Sequence, residues 1–270
     1  MRKLSRHFIA INFHRFHDGN DAITCAKSVV ISARCISGYV RIVFFHHSDQ
    51  PIPAPLFNEI KALGLEIEGL PGGANGDCLN MQVSMARDCD FFYRVDADDV
   101  VSKGRFGWQV DIFQTTGCDI CGGGLIYRNV LSGQEYLVIP PAKPAITAFL
   151  TNQFFLHPTL AFRLESFRNY NMRYGPERLE DKALAVSAVK AGLDIVNDPR
   201  IYGVYNINPH ARNARFYSHK NLKYNLAFIR ASRGYWAVPL AFGMYLVSLS
   251  ISSERLRKIR YFVSRFRRLK

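Results

Sequence analysis

The chain has 270 residues, of which 48% are hydrophobic and 21% charged, a balance that is typical of a globular protein able to bury a full core. Its formal net charge of +13 would suit a nucleic-acid binder, but eight Lys or Arg residues against Glu254 alone lie between Ser253 and Lys270. More than half of the excess charge thus belongs to these last residues. This distribution argues against a nucleic-acid partner and favours contact with an anionic surface.

Strands and helices alternate from Phe8 to Val95. Apolar runs predict strands at Phe8–Ile11, Val40–Phe45, Leu65–Glu68 and Phe91–Val95, separated by helices at Ala22–Ala33, Leu56–Leu63 and Leu79–Ala86. This alternation predicts an α/β fold with a mostly parallel central sheet and helices on both faces. In such folds ligands bind at the carboxyl ends of the strands.

The second half of the chain is less regular. Strands are predicted at Asp119–Tyr127 and Glu135–Ile139, with a turn at Ser132-Gly133 between them. Near the end, Tyr235–Ile251 contains no charge but is interrupted by Pro239 and Gly243. Its length is at the short limit for crossing a bilayer, and a helix that lies in the membrane interface is the alternative.

Cysteine usage indicates the compartment. All six cysteines fall in the first half of the chain, and no apolar secretory segment follows Met1, which predicts a reducing, cytosolic environment. Cys118 and Cys121 have the spacing of half a zinc site or of a redox pair, but no second pair completes a four-ligand site. We interpret all six as ordinary buried thiols: Cys25, Cys35, Cys78, Cys89, Cys118 and Cys121.

Three acids directly follow the fourth predicted strand. Asp96, Asp98 and Asp99 would repel one another at the sheet edge unless a hard divalent cation lay among them. Because alternate residues of an extended chain share a side, we expect Asp96 and Asp98 to converge and Asp99 to point elsewhere. The alternative is a solvated turn, where Asp is common.

A second acid pair opens a later helix. Glu180 and Asp181 precede an apolar segment that ends at Gly192, so both belong to the first helical turn. Acids at this position can simply complement the helix dipole. The functional alternative is that one of them acts as a general base toward a hydroxyl group.

Four sequence segments, together with their order along the chain, are informative. They are Phe91–Asp99, which ends in Asp-Ala-Asp-Asp, then Phe155–Arg163, Leu179–Leu184 with its Glu-Asp pair, and Asn206–His210. Together they resemble the family 2 glycosyltransferases, and the likeness spans about Phe8 to Arg215. The resemblance implies a GT-A fold over residues 1–220, with a nucleotide-sugar half at 1–99 and an acceptor half at 100–220. Residues 221–270 would then form a basic, apolar segment of amphipathic helices that associates with a membrane.

The resemblance also implies residue roles on the donor side. Asp96 and Asp98 would bind the nucleotide-sugar and hold Mn²⁺ or Mg²⁺, with His210 as a third metal ligand. Asp49, just beyond the second strand, would contact the nucleoside base. The stretch Leu79–Gln82 lacks the arginine that the family carries there, which leaves the base open, although a UDP-sugar is favoured.

On the acceptor side, the resemblance implies Asp181 as the general base, with Glu180 as the neighbouring candidate. We interpret His157 as a structural or acceptor-lining residue. The implied reaction transfers a sugar, with inversion, to a hydroxyl of a cell-envelope polysaccharide or lipid-linked glycan. The basic tail would hold the enzyme in the cytoplasm, peripherally on anionic lipid at the inner face of the cell membrane.

Two other functions remain as alternatives. A sugar-phosphate nucleotidyltransferase usually has a glycine-rich phosphate loop after its first strand, whereas Asn12–Asn20 holds one glycine and Arg15. A non-enzymatic module that binds membrane or nucleic acid through the basic tail would leave both acid clusters without a role.

Overall fold

A curled sheet of nine strands organises the computed structural model, which describes residues 4–14, 18–47, 51–71, 75–150, 154–175, 179–207 and 219–250. The strand order is 3-2-1-4-8-6-9-5, and the seventh strand pairs with the sixth off this path. The strands are β1 (Arg6–His14), β2 (Tyr39–His47), β3 (Glu66–Leu70), β4 (Phe91–Asp96), β5 (Val100–Val101), β6 (Ile120–Asn129), β7 (Glu135–Val138), β8 (Ala161–Arg163) and β9 (Ile195–Ile207).

Helices cover both faces of this sheet, as predicted. They are α1 (Gly19–Ala33), α2 (Ala54–Ala62), α3 (Asn75–Met85), α4 (Arg105–Thr116), α5 (Ile146–Leu150), α6 (Leu164–Asn169), α7 (Glu180–Ala191), α8 (His219–Ala231) and α9 (Val238–Ser250). Along β1, Phe8 and Ala10 face the layer of α3 and α5–α8, while Ile9 and Ile11 face the layer of α1, α2 and α4. A strand buried on both faces explains the continuous apolar run in the sequence.

The first four strands form a parallel unit around β1, which confirms the prediction for this half. β1 pairs in parallel with β2 and β4, and β2 pairs in parallel with β3. The prediction of a mostly parallel sheet is wrong for the second half. Among the described strands, four of the five pairings that involve β5–β9 are antiparallel, and only the β6–β9 pairing is parallel. The β6–β7 hairpin turns at Gly133, whose φ is 67°, and a hairpin needs no crossover helix.

Local signals place the helix ends. α1 begins after Asp18, whose carboxylate accepts a hydrogen bond from the backbone N of Asn20 at 2.7 Å. α4 and α7 end at Gly117 and Gly192, both in the left-handed conformation that glycine adopts without strain.

The apolar segment near the end folds as a short turn followed by α9. Pro239 was expected to interrupt it, but it occupies the second position of α9, where no intrahelical donor is needed. Gly243 also lies within the helix. Across the described residues, no helix is long and apolar enough to cross a membrane.

The cysteines agree with the prediction except at one position. All six are free, and five are buried, whereas Cys35 is exposed. Burial raises the pKa of the Cys25, Cys78, Cys89 and Cys118 thiols, and it raises the pKa of Cys121 to about 12. Since the thiolate is the reactive form, the buried cysteines are inert while the chain stays folded.

We therefore expect one thiol to react rapidly with Ellman's reagent in the native protein. Cys35→Ser should abolish the fast phase, and Cys89→Ser should leave it unchanged. Denaturant should expose all six thiols of the wild type. A native protein with two or more fast thiols would contradict the burial described here.

Candidate active site

The strand β4 ends in a buried ion pair. Arg94 Nη2 lies 2.7 Å from a carboxylate oxygen of Asp96, and the two side chains are only 4% and 15% exposed. Residues two apart on a strand share one face, so both project toward the layer of α3 and α7. Arg105 Nη2 donates to the carbonyl oxygen of Arg94 at 2.7 Å, which fixes the backbone at this point.

Beyond Asp96 the chain turns, so the expectation of an extended Asp96-Ala-Asp98 segment is wrong. The backbone N of Asp99 donates to the carbonyl oxygen of Asp96 at 3.1 Å. At the end of β9, Asn206 donates from its side chain to the carbonyl oxygen of Asp98 at 2.6 Å and from its backbone to the Asp99 carboxylate at 3.4 Å. The acid turn is therefore supported by a strand more than a hundred residues later in the chain.

The three acids do crowd one another. The Asp99 side chain is 5% exposed, and burial raises the pKa of its carboxyl well above the ordinary value. The charges of Asp96 and Asp98 raise it further. Like-charged carboxylates held this close favour either a proton or a cation among them.

The donor set fits a cation that arrives with a phosphate ligand. Within the described residues, no group of three or more His, Cys, Asp or Glu side chains is arranged to hold a metal ion. Asp96 and Asp98 nevertheless offer hard oxygen donors, and Mg²⁺ is usually held by one or two carboxylates together with substrate phosphates. His210 and Asp49, the other two predicted donor-side residues, lie outside the described residues.

A buried polar network lies behind the ends of β1, β2 and β4. Gln82 Nε2 of α3 donates to Asn12 Oδ1 at 2.5 Å and lies 3.0 Å from His47 Nε2. Asn12 Nδ2 in turn donates to the carbonyl oxygen of Val95 at 2.9 Å. These bonds fix α3 against the strand ends, and none of the three side chains had been predicted to make them.

The second acid pair begins α7, as predicted, and its two members have different surroundings. Glu180 Oε1 accepts a hydrogen bond from Asn75 Nδ2 at 2.6 Å and lies 4.0 Å from His157 Nδ1. Burial raises the pKa of the Glu180 carboxyl, and the charge of Asp181 adds to this. Burial, helped by the charge of Arg94, lowers the pKa of His157 well below its ordinary value, so its imidazole is neutral.

Asp181 borders a small aromatic cavity of about 20 Å³, which has room for about one water molecule. This cavity is also lined by Phe149, Phe154, Phe155, Lys182 and Ala185. Burial raises the pKa of the Asp181 carboxyl, while hydrogen bonding to the Lys182 backbone and the charge of Lys182 act in the opposite direction. Asp181 thus lines this cavity, whereas Glu180 is hydrogen-bonded to Asn75.

Tyr174 packs beside His157, with 5.6 Å between the ring centroids, and the charges of both acid clusters act on its hydroxyl group. Burial raises the pKa of its phenol, the charge of Arg94 opposes this, and the charges of Glu180, Asp96 and Asp181 raise the pKa further. The end of β4 and the start of α7 therefore act on the same hydroxyl group. The structure thus brings together three of the predicted acids, with Asp98 in the adjoining turn.

Several buried polar atoms of this region have no hydrogen-bond partner among the described residues. They include Arg94 Nε and Nη1, Asn75 Oδ1, His157 Nε2 and the Tyr174 hydroxyl. Buried polar groups are normally paired with protein, water or ligand. These atoms therefore need hydrogen-bond partners from water or from a polar ligand. Sequence reasoning missed Arg94 and Tyr174, although the two-residue period of β4 would have placed Arg94 beside Asp96.

Comparison with known proteins gives matches in structure only. No family model matches the sequence, and no curated protein matches it either. Residues 1–349 of S. aureus TarS, in complex with UDP-GlcNAc, match with a TM-score of 0.58 and 11% identity over 83% of this chain and 66% of that one. PcManGT, a mannosyltransferase from Pyrobaculum calidifontis in complex with GDP-Man and Mn²⁺, matches with a TM-score of 0.57 and 10% identity over 97% of this chain and 81% of that one.

GalNAc-T7, in complex with UDP, GalNAc and Mn²⁺, matches with a TM-score of 0.59 and 12% identity over 85% of this chain and 48% of that one. The chain covers 37% of a longer TarS structure. These neighbours are glycosyltransferases of the GT-A type, and the chain shares their mixed α/β fold with its curled sheet. At such low identity the comparison shows the fold, and the roles of individual residues have to be argued from the site.

The buried Arg94–Asp96 pair generates a stability prediction. Breaking a buried ion pair leaves an uncompensated charge, so Arg94→Met should lower the free energy of unfolding by about 3–5 kcal/mol. The matched control is Arg41→Met, because Arg41 also lies 2.7 Å from a carboxylate, that of Glu66, but in an exposed pair. Arg41→Met should lower the free energy of unfolding by less than about 1 kcal/mol. Urea unfolding of both variants measures the difference, and equal costs would contradict the burial of the pair.

Proposed function

We propose that the chain is a glycosyltransferase of family 2 type that moves a sugar from a nucleotide-diphosphate donor to an acceptor hydroxyl. The observation that carries this proposal is the placement of two acid clusters, one at the end of β4 and one at the start of α7, on the same face of a sheet whose fold resembles that of PcManGT. One cluster offers oxygen donors for a cation and a diphosphate. The other offers a carboxylate that lines a cavity. A transfer between two ligands needs both.

The proposed donor site is the turn after β4. Asp98 and Asp96 would hold Mn²⁺ or Mg²⁺, and Mn²⁺ is present in the PcManGT and GalNAc-T7 complexes. A bound cation would stabilise the negative charge of the departing diphosphate. Arg94 holds Asp96 in place for this role. We favour a UDP-sugar, since two of the three structural neighbours described above are complexes with UDP or a UDP-sugar.

The proposed acceptor site is the start of α7. Asp181 would take the proton of the acceptor hydroxyl. At the same time the acceptor oxygen would form a bond to the anomeric carbon of the donor sugar, and the bond from that carbon to the diphosphate would break. Attack from the face opposite the leaving group inverts the anomeric configuration. A raised pKa makes the Asp181 carboxylate a stronger base. Glu180, bonded to Asn75, would position the helix end.

The acceptor we propose is a hydroxyl of a cell-envelope polysaccharide or of a lipid-linked glycan, reached in the cytoplasm at the inner face of the cell membrane. This part of the proposal rests on the resemblance to family 2 enzymes and on the basic end of the chain. It is the part that a screen of acceptors would test directly.

Donor binding should depend on metal. We expect nucleotide-diphospho-sugars to raise the melting temperature of the wild-type protein more strongly with Mn²⁺ than with a chelator, because a ligand that binds only the folded state stabilises it. Asp98→Ala should remove the Mn²⁺-dependent part of this shift. Asp88→Ala serves as the control, since Asp88 is a highly exposed aspartate before β4. An undiminished, metal-dependent shift in Asp98→Ala would place the cation elsewhere.

Asp181→Asn separates binding from chemistry. The amide keeps the shape of the side chain and removes nearly all of its basicity, so transfer should fall by about 10²–10⁴ while donor affinity survives. In the wild type, the rising limb of the pH–rate profile should have an apparent pKa above that of an ordinary aspartate. In Asp181→Asn this limb should vanish.

The companion variant is Glu180→Gln, which should retain more activity than Asp181→Asn because its amide can still bond to Asn75. A reversed order of the two variants would make Glu180 the base. Loss of both donor affinity and rate in Asp181→Asn would assign Asp181 to the donor site.

A further inference from the structure

The excess positive charge belongs entirely to the last part of the chain. From Pro199 to Lys270 there are fifteen Lys and Arg residues and a single acid, Glu254. Residues 1–198 hold the other 20 basic and 21 acidic residues and are therefore nearly neutral. The described portion of this basic region includes α8 and α9 and the turn between them.

An exposed apolar surface lies on this basic region. It consists of the outward-facing side chains of the turn before α9 and of α9 itself, and we call it the C-terminal apolar surface: Tyr235, Trp236, Leu240, Phe242 and Leu246. Trp236 is 67% exposed and Leu246 60% exposed. On the opposite side, Ala237 and Ala241 are buried against Ile229 of α8 and Leu150 of α5. The helix is thus anchored to the protein and presents large apolar side chains outward.

Cationic side chains adjoin this surface. Arg230 in the last turn of α8 and Arg233 just before Tyr235 are both exposed, and α9 itself carries no charge. Beyond Ser250 the chain continues into the segment with eight Lys or Arg residues. An apolar surface flanked by arginines and by Trp and Tyr side chains has the composition of a helix that lies in a membrane interface.

We infer that the C-terminal apolar surface binds an anionic lipid bilayer, with α9 lying along the interface and Tyr235 and Trp236 at the level of the lipid headgroups. Lipid tails take up the apolar side chains, and the headgroups neutralise Arg230 and Arg233. A second copy of the chain is a poorer occupant, because two surfaces flanked by the same positive charge repel each other.

The same region is joined to the proposed acceptor side. Lys182 Nζ, next to Asp181, donates to Asn225 Oδ1 of α8 at 2.8 Å. Phe228 of α8 stacks on Phe149 with 3.8 Å between ring centroids, and Phe149 lines the cavity of Asp181. If the proposed function holds, this contact chain ties the membrane-bound helices to the helix that carries the base, which suits an acceptor held in the bilayer.

Vesicle flotation of the full-length protein tests the inference. We expect binding to phosphatidylcholine vesicles that contain phosphatidylglycerol and little binding to phosphatidylcholine alone. The double variant Trp236→Ser, Leu246→Ser should weaken binding by about tenfold or more. The control Leu131→Ser, Tyr170→Ser removes exposed apolar side chains elsewhere and should bind like the wild type. Replacing Arg230 and Arg233 with Gln should weaken binding by about fivefold per arginine.

Fluorescence gives an independent measure of insertion. The chain has two tryptophans, so Trp108→Phe leaves Trp236 as the reporter. Its emission should shift to the blue with phosphatidylglycerol vesicles and be quenched by brominated lipid.

Three results would overturn the inference: no binding of wild type to anionic vesicles, equal binding by the Trp236→Ser, Leu246→Ser variant, or self-association of the wild type that this variant loses. Failure of the proposed function is distinguishable, because it would remove transfer to any acceptor while vesicle binding stayed intact.

Discussion

The ion pair between Arg94 and Asp96 is the interaction on which the site depends. Burial lowers the pKa of Arg94, but the acids around it outweigh this effect and raise the pKa, with Asp96 the strongest contributor. This guanidinium acts on carboxylates from both β4 and α7 and helps them share one poorly solvated region. Arg105 holds its backbone, and the turn after Asp96 is held by Asn206. The acid sites therefore depend on the buried positive charge of Arg94, which the Asp-Ala-Asp-Asp motif does not reveal.

Half of the fold follows from local pattern, and half does not. The βαβ units from β1 to β4 are visible in the sequence because each apolar run is separated from the next by a helix that returns the chain to the same edge. β9 was not predicted, and Pro199 lies within it, although proline rarely occurs inside a strand. Pro199 is accommodated because the hydrogen-bond register between β6 and β9 shifts at Gly123 and Gly124 of β6. Such a compensation depends on a partner strand some seventy residues away.

The site shows the same division. Asp96 and Asp98 could be predicted because they end a strand, and Glu180 and Asp181 because they begin a helix. The contacts of Asn75 and Tyr174 could not, because these residues come from separate parts of the chain and become neighbours of the site only when α3 and α7 pack on the same face of the sheet. A sequence pattern identifies charged groups, whereas folding decides which of them share a solvent-poor space.

The uneven placement of charge has a consequence for how the molecule moves in solution. A nearly neutral body joined to a strongly cationic end has a permanent electric dipole moment, and a negatively charged plane exerts a torque on it before any contact is made. At physiological salt this torque acts only within a Debye length of about 8 Å, so the molecule rotates in the last moments of approach. Most collisions would then begin with the cationic end leading, and the capture rate would fall steeply as ionic strength rises.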